Sequence, residues 1–459
     1  MGRHWGGLVR AIDIIYLIGA FGALGGLAPL LDALTTYAHG AIRALRGRGS
    51  GSAHLLLMEG VLGLSTLQGC APVVLKSPTP PPEELSADSP NGLRVMGADH
   101  RFADASLQSV ARRAHHGPAG EPFSILALSG GGADGAFGAG ALVGLTRAGQ
   151  RPQFSVVTGV SAGALLAVYA FLGADWDPQL MDAYTSGSTE HLLQPRGLGV
   201  IFESSRYRGR PLEQMVDHYL SDALVQAVAR EAASGRLLLV ATTNVDTGET
   251  VVWDLGSIAM NGGPQAKKLL RDILVASASV PGMLPPVIIR VQDDWGDYSE
   301  AHVDGTATVP FLVPAALLQQ PLHGPPRSPL TVYVIVDGRL SEPAQSIPLR
   351  FKTIVSRNLS VGLTHMMRNT LELTATTAQV QGARLEYSAI PVAYPKLTSF
   401  DFRTSTLQPL FRYGYECAQS GRLWIASQRV ADSETHAAAA SRHIPCPAEG
   451  TLAERVAAR

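Results

Sequence analysis

The chain has 459 residues, a formal net charge of −1 and only 16% charged residues. That length suits one large domain, or two, with appendages. A balance so close to neutral gives no electrostatic case for a nucleic-acid partner.

Residues 1–70 read as a membrane-targeting segment. The run 14–31 carries no charge and lies at the short end for a membrane span; four glycines, a proline and the flanking Asp13 and Asp32 weaken it. A second apolar run, 55–67, follows a basic segment at 43–48 and ends Leu67-Gln68-Gly69-Cys70. That pattern resembles a bacterial lipoprotein signal, whose cysteine is acylated and becomes the mature N-terminus. Glu59 and Gln68 depart from it, and the position is late for a signal. Two expectations stay open, an anchor at 14–31 and a lipid on Cys70; either implies membrane association through the N-terminus, at a cell envelope. Residues 71–122 read as a linker, with a polyproline-like tether at 77–82.

Two glycine-rich corners follow, and the folded part of the chain is organised around them. The first is FSILALSGGGADGAFGAG at 123–140; the second is FSVVTGVSAG at 154–163. Each is an apolar run, then glycines, then a helical pattern, which is the beginning of a parallel α/β sheet. Both turns then fall at the carboxyl edge of that sheet, where such folds place ligands.

The second corner fits G-x-S-x-G, with Gly159 and Gly163 around Ser161. In this motif the serine sits on a strained strand-to-helix turn with its hydroxyl exposed for attack. The first corner supplies what such a serine lacks: unobstructed amides at Gly130, Gly131 and Gly132, at a helix start, aimed at a developing oxyanion. Gly130, Gly132 and Gly135 also satisfy G-x-G-x-x-G. A dinucleotide site, however, expects an acidic residue after the next strand, and here that strand runs into the serine turn.

A glycine-rich turn upstream of G-x-S-x-G resembles the bacterial patatin-like phospholipases. The resemblance implies a three-layer α/β fold with a mainly parallel central sheet and helices on both faces. It also implies a Ser–Asp dyad. The aspartate of that dyad lies in a D-G-[GA] turn, matched here by Asp304-Gly305-Thr306. Residues 237–255, 276–287 and Tyr413-Gly414-Tyr415-Glu416 extend the likeness, so the catalytic domain is expected over 123–430 and a loose tail over 431–459. The implied activity is hydrolysis of lipid acyl esters, with membrane lipids as substrates, no cofactor or metal and no obligate protein partner. Ser161 is the implied nucleophile, Asp304 the general base.

Two departures carry expectations of their own. Asp134 stands where the family often has Arg or Lys; it is expected to cap the following helix and turn away from Ser161. Thr306 replaces a small residue beside Asp304, which bears on the turn rather than on the carboxylate.

Within the domain, helices are expected over 210–220 and 222–233, either as a lid or substrate channel or as packing elements. Strands are expected at 236–244, 249–255, 286–291, 298–303 and 331–336, and long helices over 353–385 and 409–430. Two rival functions remain. One is a Ser–His–Asp triad drawing on His323, His365, His436 or His443, all of which follow Asp304 in the order expected of α/β-hydrolases; His302 precedes it. The other is a tethered binding protein without chemistry. Cys417 and Cys446 pair in an exported chain or remain two unrelated thiols.

Overall fold

The apolar runs between glycine turns become the strands of one mixed sheet. The computed structural model describes residues 94–96, 122–196, 204–293, 296–318, 329–342, 344–395 and 397–426. The anchor at 14–31, Cys70, the proline tether, the tail, His323, His436, His443 and Cys446 lie outside these. The chain divides into two units. One, Met1–Leu75 with Gly197–Glu203, lies wholly outside the described residues; the other, Lys76–Arg196 with Ser204–Arg459, holds everything that follows.

The strands are β1 (Arg94–Met96), β2 (Phe123–Leu128), β3 (Val156–Val160), β4 (Leu237–Asn244), β5 (Thr250–Asp254), β6 (Val287–Asp293), β7 (Gly296–Asp304), β8 (Leu330–Val336), β9 (Arg384–Ala389) and β10 (Ile425–Ala426). Their order is β1-β5-β4-β3-β2-β8-β9-β10, with β7 pairing β4 and β6 pairing β7 beside that path. The centre, β4-β3-β2-β8-β9, is parallel, and the outer strands are antiparallel. Strand β2 shows why its sequence is apolar throughout. Leu126 and Leu128 enter the core on one face, Ile125 and Ala127 the core on the other, as expected of a central parallel strand.

The helices are α1 (Gly135–Arg147), α2 (Ala162–Leu172), α3 (Asp177–Thr185), α4 (Arg210–Tyr219), α5 (Asp222–Ala233), α6 (Leu255–Asn261), α7 (Gly263–Ser277), α8 (Ala315–Leu318), α9 (Phe351–Val380) and α10 (Thr404–Gln419). The larger core lies among α1, α2, α4–α7 and α10 on one face of the sheet. The smaller core lies beneath α8 and α9 on the other. Helices α1 and α10 approach so closely that side chains on Gly140, Gly144 or Gly414 would collide with the facing backbone.

Several boundaries differ from the sequence expectations. Arg94–Met96, inside the expected linker, joins the sheet antiparallel to β5. Helix α9 stops at Val380, and the turn at Gly382 (φ 68°) frees Arg384–Ala389 to pair with β8. The expected helix over 353–385 had absorbed the start of that strand. Helix α10 begins at Thr404 and ends at Gln419, followed by the short β10.

Arg151 secures the far end of α2. Its guanidinium donates to the carbonyls of Tyr169 and Ala170 at the end of α2 (2.8 and 3.2 Å) and to Asp177 Oδ1 at 2.7 Å. Both charged side chains are almost fully buried. Removing one partner strands the other charge, so Arg151→Ala should lower the unfolding free energy by about 3 kcal/mol, read from denaturant midpoints.

Candidate active site

Ser161 occupies the tight corner between β3 and α2. It is the one non-glycine residue at positive φ among those described (φ 56°, ψ −125°). Such a conformation costs about 1–3 kcal/mol and persists only when its surroundings enforce it. They do so here from both sides. The Ser161 N–H donates to Ser277 Oγ at 2.9 Å, and Ser277 Oγ donates in turn to the Ala241 carbonyl of β4 at 2.7 Å. Gly163 presses so closely on the Leu128 and Ser129 carbonyls that no Cβ would fit.

Asp304 reaches the same point from the end of β7, where it stands opposite Thr242 of β4. Its N–H donates to the Ser279 carbonyl at 2.9 Å. The Ser161 hydroxyl donates to Asp304 Oδ2 at 2.5 Å. Asp304 Oδ1 accepts both the Thr306 N–H at 2.8 Å and the Thr306 hydroxyl at 2.7 Å. Complete burial pushes this carboxyl up to about 6, against the opposing pull of the Ser161 and Thr306 hydrogen bonds. Thr306, the departure from the family turn, therefore acts on the carboxylate directly. Its side chain also fills the space that a Cβ on Gly130 would need.

The 130–132 turn is less uniform than three bare amides. The Gly130 N–H donates to the Pro310 carbonyl at 3.1 Å and is thereby removed as a donor. Gly132 holds φ 60°, lines the same cavity as Ser161 and opens a short 3-10 turn before α1. No hydrogen bond from the Gly131 or Gly132 N–H occurs among the described residues. Gly135 and Gly305 serve packing: Gly135 faces Tyr184 and Ala162, and Gly305 lies against the Ala241 carbonyl. Gly159 is in similarly close contact with the Gly163 and Ala164 backbone.

Asp134 does not cap α1. It lies in the helical region (φ −66°, ψ −14°) with no capping bond from its side chain; instead it accepts the Ser399 hydroxyl at 3.4 Å. The preceding 3-10 turn has already brought Asp134 into helical geometry, whereas a capping side chain needs an extended backbone.

Sequence reasoning missed Ser277 and Ser279 as individual supports. They sit in the stretch 276–287, whose serine/proline pattern was the available signal. It also missed Asp337, at the end of β8. This buried carboxyl accepts the Gly138 N–H at 2.8 Å through Oδ1, and burial holds it well above the usual carboxylate range. Its own N–H donates to Ser129 Oγ at 2.8 Å, and its carbonyl leaves no room for a side chain on Gly131.

The histidines within the described region lie elsewhere. His302 is buried between Thr242 Oγ1 and Glu300 Oε2, each 2.9 Å away, and stacks edge-on with Trp253. His365 is exposed on α9 beside Arg368. Cys417 is disulfide-bonded, so the reading of two unrelated thiols does not hold for it; its partner lies outside the described residues.

A cavity opens beside Ser161. Its wall along α2 is formed by Ala162, Leu165, Val168 and Tyr169, a stripe with helical spacing. The opposite wall comes from α4 and α5, through residues such as Leu212, Val216 and Leu224. These extra helices thus both pack and shape the cavity. Its lining is overwhelmingly apolar, and the Ser161 hydroxyl stands at one end of the α2 stripe.

Ser277→Ala should leave the Ser161 N–H and the Ala241 carbonyl without their shared partner. We expect a loss of about 2 kcal/mol in unfolding free energy, measured by chemical denaturation.

No curated protein matches this chain. Among solved structures, the chain is similar to the crystal structure of VipD from Legionella pneumophila, with 13% identity over 63% of this chain and 67% of that one and a TM-score of 0.31. Residues 126–316, which contain both glycine corners and the Asp304 turn, match the family model for patatin-like phospholipases, and the chain therefore carries a patatin-like phospholipase domain.

Proposed function

We propose that the protein hydrolyses acyl esters of membrane lipids through Ser161 and Asp304. The observation that carries this reading is the 2.5 Å hydrogen bond from the Ser161 hydroxyl to a buried carboxylate at the head of an apolar cavity. The family's hydrolase character supports it.

In this mechanism the substrate's acyl chain occupies the cavity and its carbonyl carbon faces Ser161 Oγ. Asp304 Oδ2 takes the hydroxyl proton as the Oγ–C bond forms. The negative charge that develops on the carbonyl oxygen is met by the N–H groups of Gly131 and Gly132, with Gly130 excluded by its bond to Pro310. Collapse of the tetrahedral species breaks the ester C–O bond, and Asp304 returns the proton to the leaving alcohol. Water then repeats the sequence on the acyl-serine and releases the fatty acid.

A carboxylate is a weaker base than imidazole, and burial compensates in part. At neutral pH a group near 6 is mostly ionised, yet binds a proton far more readily than an exposed aspartate. Association with the membrane through the N-terminal 70 residues, by the 14–31 run or by acylation at Cys70, belongs to this same proposal. Intact-mass measurement on membrane-fraction protein tests the acylation, because it requires a mature chain starting at Cys70.

A fluorophosphonate probe should label Ser161 in the native protein and fail on Ser161→Ala; absence of labelling would favour the binding-protein alternative. Ser161→Ala and Asp304→Asn should each reduce ester hydrolysis by at least about a thousandfold. His365→Ala should leave most of it, and near-total loss there would revive the triad.

The pH profile provides an independent check. Activity requires the ionised base, so kcat/KM should rise with pH through a midpoint near 6. Thr306→Val removes a hydrogen bond that favours the ionised form. The midpoint should therefore move to higher pH, and a midpoint that stayed or fell would contradict the role given to Asp304.

A further inference from the structure

Helix α9 is much longer than the sheet it crosses. Its 30 residues span about 45 Å at 1.5 Å per residue. Strand β8, which it follows, has 7 residues and spans about 23 Å. Because β8 and β9 are parallel, α9 returns from the carboxyl edge of the sheet to its amino edge. Only the second half of the helix is packed down: Met367, Leu371, Thr374 and Ala378 are buried. From Phe351 to Met366 no described side chain is buried. The surplus half therefore overhangs the carboxyl edge. That is the edge where β2 ends in the 130–132 turn and β3 ends at Ser161.

The overhang is not polar, as a solvated helix end would be. Phe351, Val355, Leu359 and Leu363 recur every four residues and are 76%, 48%, 64% and 41% exposed. They form one stripe that continues, at the same spacing, into the buried Met367 and Leu371. The same stretch is basic. Residues 343–371 contain Arg350, Lys352, Arg357 and Arg368 and no acidic residue, in a chain whose net charge is −1. Arg357 is matched by Glu342 and Arg368 pairs with Glu372. Arg350 is exposed just before the helix, and Arg350 and Lys352 flank Phe351 in sequence.

We propose that the overhanging half of α9 is a docking surface for an anionic lipid bilayer. An exposed apolar stripe with cationic flanks matches the chemistry of a helix lying in the headgroup region, its apolar face among the acyl chains. The helix lies on the membrane and does not cross it: among the described residues, no helix is long and apolar enough to do so. Docked this way, the bilayer meets the edge of the sheet that carries Ser161. The inference rests on the lipid-ester reading for its purpose, but the test separates the two.

Full-length protein carrying Ser161→Ala binds vesicles without digesting them, so docking is measured apart from chemistry. Co-sedimentation is compared on phosphatidylcholine vesicles and on vesicles enriched in phosphatidylglycerol. The variants are Phe351→Glu with Leu359→Glu, and Arg350→Glu with Lys352→Glu, all in the first half of α9 or at the residue before it. We expect stronger binding to the anionic vesicles, and a loss of about tenfold or more in each double variant. In the Ser161 background, the same variants should retain turnover of a short-chain p-nitrophenyl ester in solution and lose hydrolysis of vesicle lipid. Unchanged vesicle affinity in both variants overturns the proposal, as does equal binding to the two vesicle types. A variant that converts a dimer to a monomer in light scattering, with vesicle binding intact, assigns the stripe to a second copy instead. If wild-type protein turns over no ester at all, the hydrolase reading fails while the binding comparison still decides the docking surface.

Discussion

The hydrogen bond between Ser161 and Asp304 joins two turns 143 residues apart in the chain, and much of the architecture serves to bring them together. Ser161 is delivered by β3 and Asp304 by β7, which are not neighbours. Strand β4 lies between them, parallel to β3 and antiparallel to the end of β7. The stretch after α7 closes the arrangement. Ser277 holds the backbone of Ser161, and Ser279 holds the backbone of Asp304. A single turn thus fixes both partners. The strain at Ser161, about 1–3 kcal/mol, is opposed by hydrogen bonds from elements that the sheet already holds in place.

Two buried carboxyls flank the Ser161 corner, and burial acts on them differently. Asp304 accepts three hydrogen bonds, from Ser161 and twice from Thr306, which limit its rise to about 6. Asp337 accepts one, from Gly138, and its Oδ2 has no partner among the described residues. With less to stabilise a charge, it rises well above the ordinary range. Depth does not separate them, since both are fully buried; Asp337 has fewer donors and also faces the charge of Asp134. An ionised Asp337 would place a second negative charge behind the 130–132 turn, where the proposed mechanism puts an oxyanion. Asp337 supports the turn through its N–H to Ser129 and its carboxyl to Gly138.

The parts of the site that could be read from the sequence are those determined within a few residues. G-x-S-x-G announces its own backbone: the strain at Ser161 and the close approach of Gly163 both follow from that spacing. Asp304 was legible through its Asp-Gly turn. The parts that escaped depend on partners far along the chain. Gly130 looks like an oxyanion donor until Pro310 takes its amide. Asp134 looks like a cap until Gly132 starts a 3-10 turn and Ser399 arrives across 265 residues. Strand β9 was merged into a helix because its apolar spacing continues the pattern of α9, and only pairing with β8 separates them. Thr306 appeared to be a defect of the turn, because nothing local shows that its hydroxyl bonds the carboxylate.

The cavity and the carboxyl edge together limit how a substrate can approach. The α2 stripe from Ala162 to Tyr169 extends for about 10 Å, with Ser161 at the N-terminal end. In the acyl-ester reading proposed above, a chain lying along it points away from Ser161, down the helix toward Tyr169. Its ester then falls at the head of the helix, where the backbone N–H groups and the positive end of the dipole already favour negative charge. The reverse orientation would put a polar ester among apolar side chains and leave those donors facing hydrocarbon, which costs hydrogen bonds at both ends. Apolar lining and the direction of α2 thus select the same pose, and neither needs a specific contact to the head group.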